Sequence, residues 1–333
     1  MNDKKLLLVL EECEKIGNLT IFDSFIKSAP KIETKQRIVC SISGGSDSDI
    51  MLDIISKLDT EKKTKYIFFD TGIEYQATKK HLEYLEQKYG IVIERIRAIT
   101  PVPLGCKRYG VPFWSKHASE MIERLQKVGF KWEDKPLDEL LSEYPKCKPA
   151  LRWWCNDFGE GSRFNINYIR WLKEYMIAYP PTFRISNKCC KGAKKDNAKK
   201  YLTEYNADLN LVGIRKAEGG ARSAAYKSCF DIAKESETWD NYRPIFWYTD
   251  KDKEEYEALF GVTHSACYSE YGLKRTGCAG CPFGKDFETE LEIIKEHEPK
   301  LYKAVNNIFG ESYEYTRKFY EFRNLKKGEQ KVV

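Results

Sequence analysis

The chain has 333 residues, 42% of them hydrophobic, with 21 Tyr, 17 Phe and 7 Trp, which excludes a disordered polypeptide and leaves room for one large or two modest domains. Lys and Arg outnumber Asp and Glu by 56 to 50, a net charge of +6 that suits an anionic nucleotide or a nucleic acid and decides between neither. No apolar run is long enough to span a membrane, and the short run Leu6-Leu7-Leu8-Val9-Leu10 passes straight into Glu11-Glu12. A surface helix is therefore expected there rather than a signal peptide, and a cytoplasmic location. Eleven cysteines without an export signal point to reduced thiols, some held by metal, rather than to disulfides.

In chain order, residues 1–35 form an N-terminal helical segment, with apolar positions at helical spacing (Leu6, Leu7, Val9, Leu10, then Ile21, Phe22, Phe25, Ile26) and Pro30 as its stop. Ile38-Val39-Cys40-Ser41-Ile42 reads as a buried strand. Ser43-Gly44-Gly45-Ser46-Asp47-Ser48 follows, and residues 50–55 continue as a helix. Strand, glycine-serine turn and helix is the layout of a phosphate cradle. The glycines let the backbone approach an anion, while hydroxyls, amide N–H groups and the helix N-terminus favour its charge. It is not the Walker pattern, because no Gly-Lys-Ser/Thr closes the loop.

Lys65-Tyr66-Ile67-Phe68-Phe69 reads as a second strand, ending in Asp70-Thr71-Gly72. A helix from about Tyr75 to Tyr89, stopped by Gly90, leads to a third strand over 91–96. This alternation predicts an α/β fold with a parallel sheet and a ligand beyond the C-terminal ends of its strands, where both loops sit. Residues 100–165, with Pro101, Pro103, Pro112, Pro136 and Pro145 and four of the tryptophans, read as a helical insertion. A helix is expected from Ile166 to Met176, and a further strand over 209–214. A charged helical extension, punctuated at Gly310, fills 285–333.

The cysteines form a second constellation. Cys189-Cys190 is an adjacent pair, and Cys278-Ala279-Gly280-Cys281 places two thiolates on one turn. Four thiolates suit tetrahedral zinc or a 4Fe-4S cluster. Cys147 and Cys155 read first as core thiols, with a reactive pair as the other reading, and Cys13, Cys40, Cys106 and Cys229 read as packing.

Together these residues resemble the phosphoadenylyl-sulfate (PAPS/APS) reductase family of the PP-loop ATP-pyrophosphatase superfamily. The hexapeptide 43–48 is similar to its SGGxDS loop. Phe69-Asp70-Thr71-Gly72-Ile73-Glu74 is similar to its DTGxxF segment, and Gly213-Ile214-Arg215-Lys216-Ala217-Glu218 with Arg222 to its G-(I/M)-R-xx-E…R segment. Pro244-Ile245-Phe246-Trp247-Tyr248-Thr249-Asp250 matches P-I-x-x-W-T-x-x-D in part, and 276–283 resembles the TGCxGCPF ending.

The resemblance implies a Rossmann-like (adenine nucleotide alpha hydrolase-like) domain over 36–284. In it Ser43, Gly44, Gly45, Ser46, Asp47 and Ser48 would hold phosphates, with Mg²⁺ at Asp47 when the ligand is ATP. Asp70, Thr71, Gly72 and Gly213 would line the nucleotide pocket. Asp47, Lys194 (in the run after the cysteine pair), Arg215 and Arg222 would form the catalytic set, the two arginines reaching phosphate or sulfate oxygens. It favours a 4Fe-4S cluster on Cys189, Cys190, Cys278 and Cys281, with zinc as the alternative.

The reductases carry a nucleophilic cysteine in a C-terminal tail, and no cysteine follows Cys281 here. The leading expectation is therefore adenylation with pyrophosphate release, or sulfur transfer, on ATP or an adenylyl-sulfate. A PAPS/APS reductase using an internal cysteine (Cys155 or Cys106) is the second reading. A non-catalytic nucleotide- or nucleic-acid-binding component of a modification or defence complex is the third. Expected partners are an adenine nucleotide, a nucleic acid or sulfur-donor protein, and a second copy in a homodimer; no membrane is expected.

Overall fold

The computed structural model describes residues 7, 11, 17–219, 225–284 and 286–331. The chain divides into two compact units, one of residues 1–98 and 194–277, the other of residues 99–193 and 278–333. Among the described residues no helix is long and apolar enough to cross a membrane.

The first unit is built on a six-stranded sheet: β1 (Ile38–Ser41), β2 (Thr64–Asp70), β3 (Ile93–Arg97), β4 (Leu209–Val212), β5 (Phe230–Asp231) and β6 (Asp240–Tyr242). The order is β3-β2-β1-β4-β6-β5, parallel throughout except for the short edge strand β5. β1 is central, and its Ile38, Val39 and Cys40 are fully buried. A short continuous apolar run is what a strand covered on both faces needs.

One face packs under α1 (Leu19–Thr34), α2 (Ser46–Leu58) and α4 (Asp250–Phe260), through Ile21, Phe25, Ile50, Ile54, Leu209 and Tyr256. α3 (Gln76–Tyr89) adds Leu82 and Leu85 to the same core. The other face packs Val39 and Ile67 against Leu202, Ala207 and Trp239. The chain leaves β1 towards β2 on one side and receives β4 on the other. The crevice at this switch of direction, beyond the strand ends, is where an open parallel sheet binds ligands.

Pro30 does not stop α1, which runs on to Thr34. A proline here removes one main-chain hydrogen bond, while Ile32 continues the buried stripe of Ile21, Phe25 and Ala29. Leu6, Val9, Leu10 and Cys13 lie outside the described residues. Gly90 ends α3 as expected, in the left-handed conformation (φ 60°) that glycine adopts freely.

The second unit is helical, with Val102–Tyr109, Lys116–Lys127, Leu137–Glu143, Lys148–Trp154, Leu172–Ala178, Phe287–His297 and Pro299–Lys331. Its core is largely aromatic, with Phe113, Phe130, Trp153, Trp154, Tyr175 and Phe319 packed together. Cys147 is buried in this core and Cys155 packs against it.

The helix expected over 166–176 is instead a 3-10 turn, Ile166–Tyr168, and a helix that begins at Leu172. Trp171 separates them at φ 65°, a conformation that costs a non-glycine residue about 1–2 kcal/mol. Burial of its indole offsets that cost. Gly310 does not punctuate the C-terminal helix. The break falls at Glu298, before Pro299, and the helix passes through Gly310 because Val305, Phe309, Tyr313 and Phe319 keep one continuous buried face.

Candidate functional site

The turn from β1 to α2 forms the cradle. Gly44 has φ 68°, and a Cβ there would lie 2.6 Å from the Thr78 side chain, so both conformation and space demand glycine. Gly45 is the N-cap of α2 and supplies no side-chain cap; its carbonyl instead accepts from the Ser48 amide at 2.9 Å. Ser48 ties the turn together. Its hydroxyl donates to the Gly45 carbonyl at 2.7 Å and accepts from the Ser43 amide at 3.3 Å. The end of β4 approaches so closely that a Cβ on Gly213 would lie 3.0 Å from the Asp47 carbonyl and the Ser48 Cα.

Charge gathers around Asp47. Arg215 donates from Nε to Asp47 at 2.9 Å and from a terminal nitrogen to Asp250 at 2.9 Å. Burial alone would lower the guanidinium's pKa, but Asp47 and Asp250 raise it above the ordinary arginine value. Lys253 donates to the Ser46 hydroxyl and lies 3.3 Å from the Asp47 carboxylate. The Ser46 amide donates to the Tyr268 hydroxyl at 3.1 Å, and that hydroxyl pairs with Thr276 at 3.2 Å. Two cations, a helix N-terminus and several hydroxyls thus converge on one turn, the composition of a polyphosphate site.

Lys253 and Tyr268 were not among the residues the sequence marked, and Thr276 was marked only as the start of the cysteine-bearing segment 276–283. The available signal was the capping box of Thr249 with Asp252, which starts α4 and turns Lys253 towards the loop.

Behind the loop, Asp49 is fully buried between two imidazoles, His81 Nε2 at 3.0 Å and His264 Nδ1 at 2.8 Å, and His264 Nε2 meets Glu257 at 2.8 Å. Burial works against the charged imidazole, yet hydrogen bonds to Asp49 and Glu257 carry His264 up to about 9. A group whose pKa rises on folding stabilises the fold fully below its unfolded value, about 6.5, and loses that contribution as pH rises through its folded value.

The wild type is therefore expected to lose roughly 3 kcal/mol between pH 6.5 and 9.5 relative to His264→Gln, read as the difference in urea midpoints. Parallel pH profiles for the two proteins would exclude the ion pair.

The segment after β2 reaches the same edge of the sheet. Asp70 accepts from the Gly72 amide at 2.9 Å, and the Glu74 carboxylate accepts from both the amide and the hydroxyl of Thr71. Burial pushes Glu74 up; Thr71 and the charge of Lys194 oppose it. Lys194 lies in a π-helical turn, Lys191–Lys195. Arg222 lies outside the described residues.

In the second unit, Cys189 and Cys190 lie in the short helix Lys188–Cys190, and Cys278 and Cys281 flank a two-residue turn. All ten described cysteines are thiols. Cys281 is pushed up to about 12, chiefly by burial, with Cys278 and Cys190 adding to it. Cys189 is raised by its hydrogen bond with Cys106, by burial and by Cys281. Cys281 is thus within electrostatic reach of each of the other three sulfurs.

Gly280 fixes the second turn at φ 61°, its amide donating to Glu290 at 3.0 Å and its carbonyl accepting from Tyr313. Four sulfur donors on two turns are a donor set for a thiophilic metal or cluster. Among the described residues, no three His, Cys, Asp or Glu side chains converge closely enough to enclose a single ion as they stand.

A glycine-serine turn between strand and helix at the β1–β4 switch of a parallel sheet is the arrangement of an α/β protein of the PP-loop kind. Residues 37–144 and 169–283 match the family profile described as phosphoadenosine phosphosulfate reductase domain, and the chain belongs to that family.

An uncharacterised protein of Methanocaldococcus jannaschii is 25% identical over 297 residues, which cover 86% of this chain and 44% of that one. Adenosine 5'-phosphosulfate reductase 2 of Bacillus subtilis is 30% identical over 94 residues, covering 28% of this chain and 39% of that one. The match thus spans less than half the length of either relative. Among solved structures, the phosphate complex of phosphoadenylyl-sulfate reductase from Candida auris superposes with a TM-score of 0.41 at 13% identity, over 77% of this chain and 87% of that one.

Proposed function

We propose that the chain is an enzyme that holds an adenine nucleotide, ATP or an adenylyl-sulfate, by its phosphates at residues 43–48, and carries out pyrophosphate-releasing or sulfur-transfer chemistry on it. The observation that supports this reading is the gathering of Arg215, Lys253 and the α2 N-terminus on the Ser46–Asp47 turn. An entering polyphosphate would take over the cations that Asp47 now holds, leaving Asp47 to share a Mg²⁺ when the ligand is ATP.

In the adenylating reaction an acceptor oxygen attacks the α-phosphorus. The bond from that phosphorus to the bridging oxygen breaks, pyrophosphate leaves with the bonding pair, and the acceptor's proton passes to solvent. The chain's residues position the phosphates and neutralise charge developing on the leaving group. Asp70, Thr71 and Gly72 would line the nucleoside end, and Lys194 and Arg222 would extend the cationic surface.

Cys189, Cys190, Cys278 and Cys281 would hold a 4Fe-4S cluster, with zinc as the alternative. A cluster there would supply electron or sulfur chemistry that thiols alone lack.

Family membership supports a second reading, thiol-dependent reduction of PAPS or APS. Cys155 is a poor nucleophile for it, because burial raises its pKa and disfavours the thiolate.

The two readings separate in one assay. The purified protein is incubated with ATP and candidate acceptors, or with PAPS and thioredoxin, and pyrophosphate and sulfite are measured. Acceptor-dependent pyrophosphate release, reduced at least tenfold in Lys253→Met, is expected. Sulfite from PAPS with no pyrophosphate from ATP would overturn it in favour of the reductase.

A further inference from the structure

Residues 145–168 stand outside the family match, between its two matched stretches, so whatever they do is added to the shared fold. From Lys146 to Arg170 the sequence places five basic side chains (Lys146, Lys148, Arg152, Arg163, Arg170) against two acidic ones, Asp157 and Glu160. Lys146, Lys148, Arg163 and Arg170 are exposed. Two large rings of the same stretch are exposed, Phe164 at 44% and Tyr168 at 69%.

The guanidinium groups lie over rings. Arg152 is 4.3 Å from the Phe158 centroid, Arg163 is 5.0 Å from Phe164, and Arg170 is 4.1 Å from Trp171. Phe164 in turn meets Phe158 at 6.2 Å and the edge of His117 at 5.4 Å.

Local hydrogen bonds hold this surface in shape. The buried Asn165 side chain accepts from the Phe158 amide at 3.0 Å and donates to the Gly159 carbonyl at 2.7 Å. Asn156, in the left-handed conformation, accepts from the Asn167 amide at 3.0 Å. Arg152 clamps Asp157 at 2.6 Å. A loop braced in this way offers its rings and charges without first having to order them, which lowers the entropic cost of binding.

We infer that residues 145–170 form a docking surface for single-stranded nucleic acid, with Phe164 and Tyr168 stacking on unpaired bases and Arg163, Arg170, Lys146 and Lys148 meeting the phosphates. Flat rings alternating with guanidinium planes complement bases joined by anionic links. An acidic protein surface would need the charges but not the exposed rings, and a closed duplex hides its base faces. The surface shares no residue with the phosphate cradle. It gives a nucleic-acid acceptor a place to dock without specifying what is done to it.

The test is fluorescence anisotropy of the full chain with a labelled 20-nucleotide single-stranded RNA of mixed sequence, alongside single-stranded DNA and a blunt duplex of the same length. The wild type is expected to bind both single strands more tightly than the duplex, with affinity falling steeply with salt. Tyr168→Ala is expected to weaken binding roughly tenfold. Its ring is largely solvent-exposed, so the fold should be unchanged. Phe164→Ala and the pair Arg163→Gln/Arg170→Gln are expected to weaken binding at least as much.

ATP binding should be unaltered in all of these variants, so failure here and failure of the nucleotide reading are distinguishable. Absence of binding at low salt would overturn the inference. So would duplex bound as tightly as single strand with Tyr168→Ala silent, or displacement of the RNA by polyglutamate at equal charge.

Discussion

Arg215→Ala is expected to weaken ATP binding by about two orders of magnitude, roughly 3 kcal/mol, the largest loss of any single change at the loop. Arg215 is 8% exposed and its two arms are committed to different carboxylates, the half-buried Asp47 and the exposed Asp250. Without it, Asp47 keeps the Lys253 contact alone among the described residues, and an incoming phosphate meets a carboxylate that is less well neutralised. Arg215→Lys should recover little of the affinity, because an ammonium on a flexible stem cannot reproduce the fork that spans Asp47 and Asp250. The check is equilibrium binding of labelled ATP beside thermal melts, which separate lost affinity from lost folding. Wild-type affinity in Arg215→Ala would remove the cradle's main cation from the account.

Replacement of any one of Cys189, Cys190, Cys278 or Cys281 by serine is expected to abolish metal retention. Anaerobically purified wild type should carry about four iron and four sulfide per chain, and Cys281→Ser close to none, with loss of visible absorbance. The effect should be all-or-none. Burial holds Cys281 protonated in the metal-free state, so binding must overcome desolvation with every sulfur contributing. Cys147→Ser and Cys155→Ser should keep their iron, since Cys147 belongs to the aromatic core and Cys155 packs on it. Zinc in place of iron would keep the four-sulfur site and remove the cluster.

The parallel sheet was legible because β1 and β2 are short unbroken apolar runs and Gly90 marks a helix end. Pro30, Trp171 and Gly310 misled, each because packing along a buried face outweighed a local preference: a proline tolerated inside α1, a left-handed tryptophan held by burial, a glycine carried through a long helix. β5 and β6 are two and three residues long, too short to show a period.

At the site, the glycines and serines of 43–48 are contiguous, so the turn between β1 and α2 was legible in the sequence. Lys253, Tyr268 and Thr276 come from segments more than 200 residues further along the chain; Lys253 and Tyr268 carry no motif, and the motif that holds Thr276 drew attention to its cysteines instead. The Asp49–His264–Glu257 contact is likewise legible only after folding, because its members are spread from α2 to the segment after α4.

The central claim is that residues 43–48 grip the phosphates of an adenine nucleotide. Its most direct test is calorimetric titration of the wild-type chain with ATP, followed by competition with inorganic pyrophosphate and with adenosine. One saturable site per chain, displaced by pyrophosphate far more effectively than by adenosine, is the predicted result. No saturable binding, or adenosine competing as well as pyrophosphate, would contradict it.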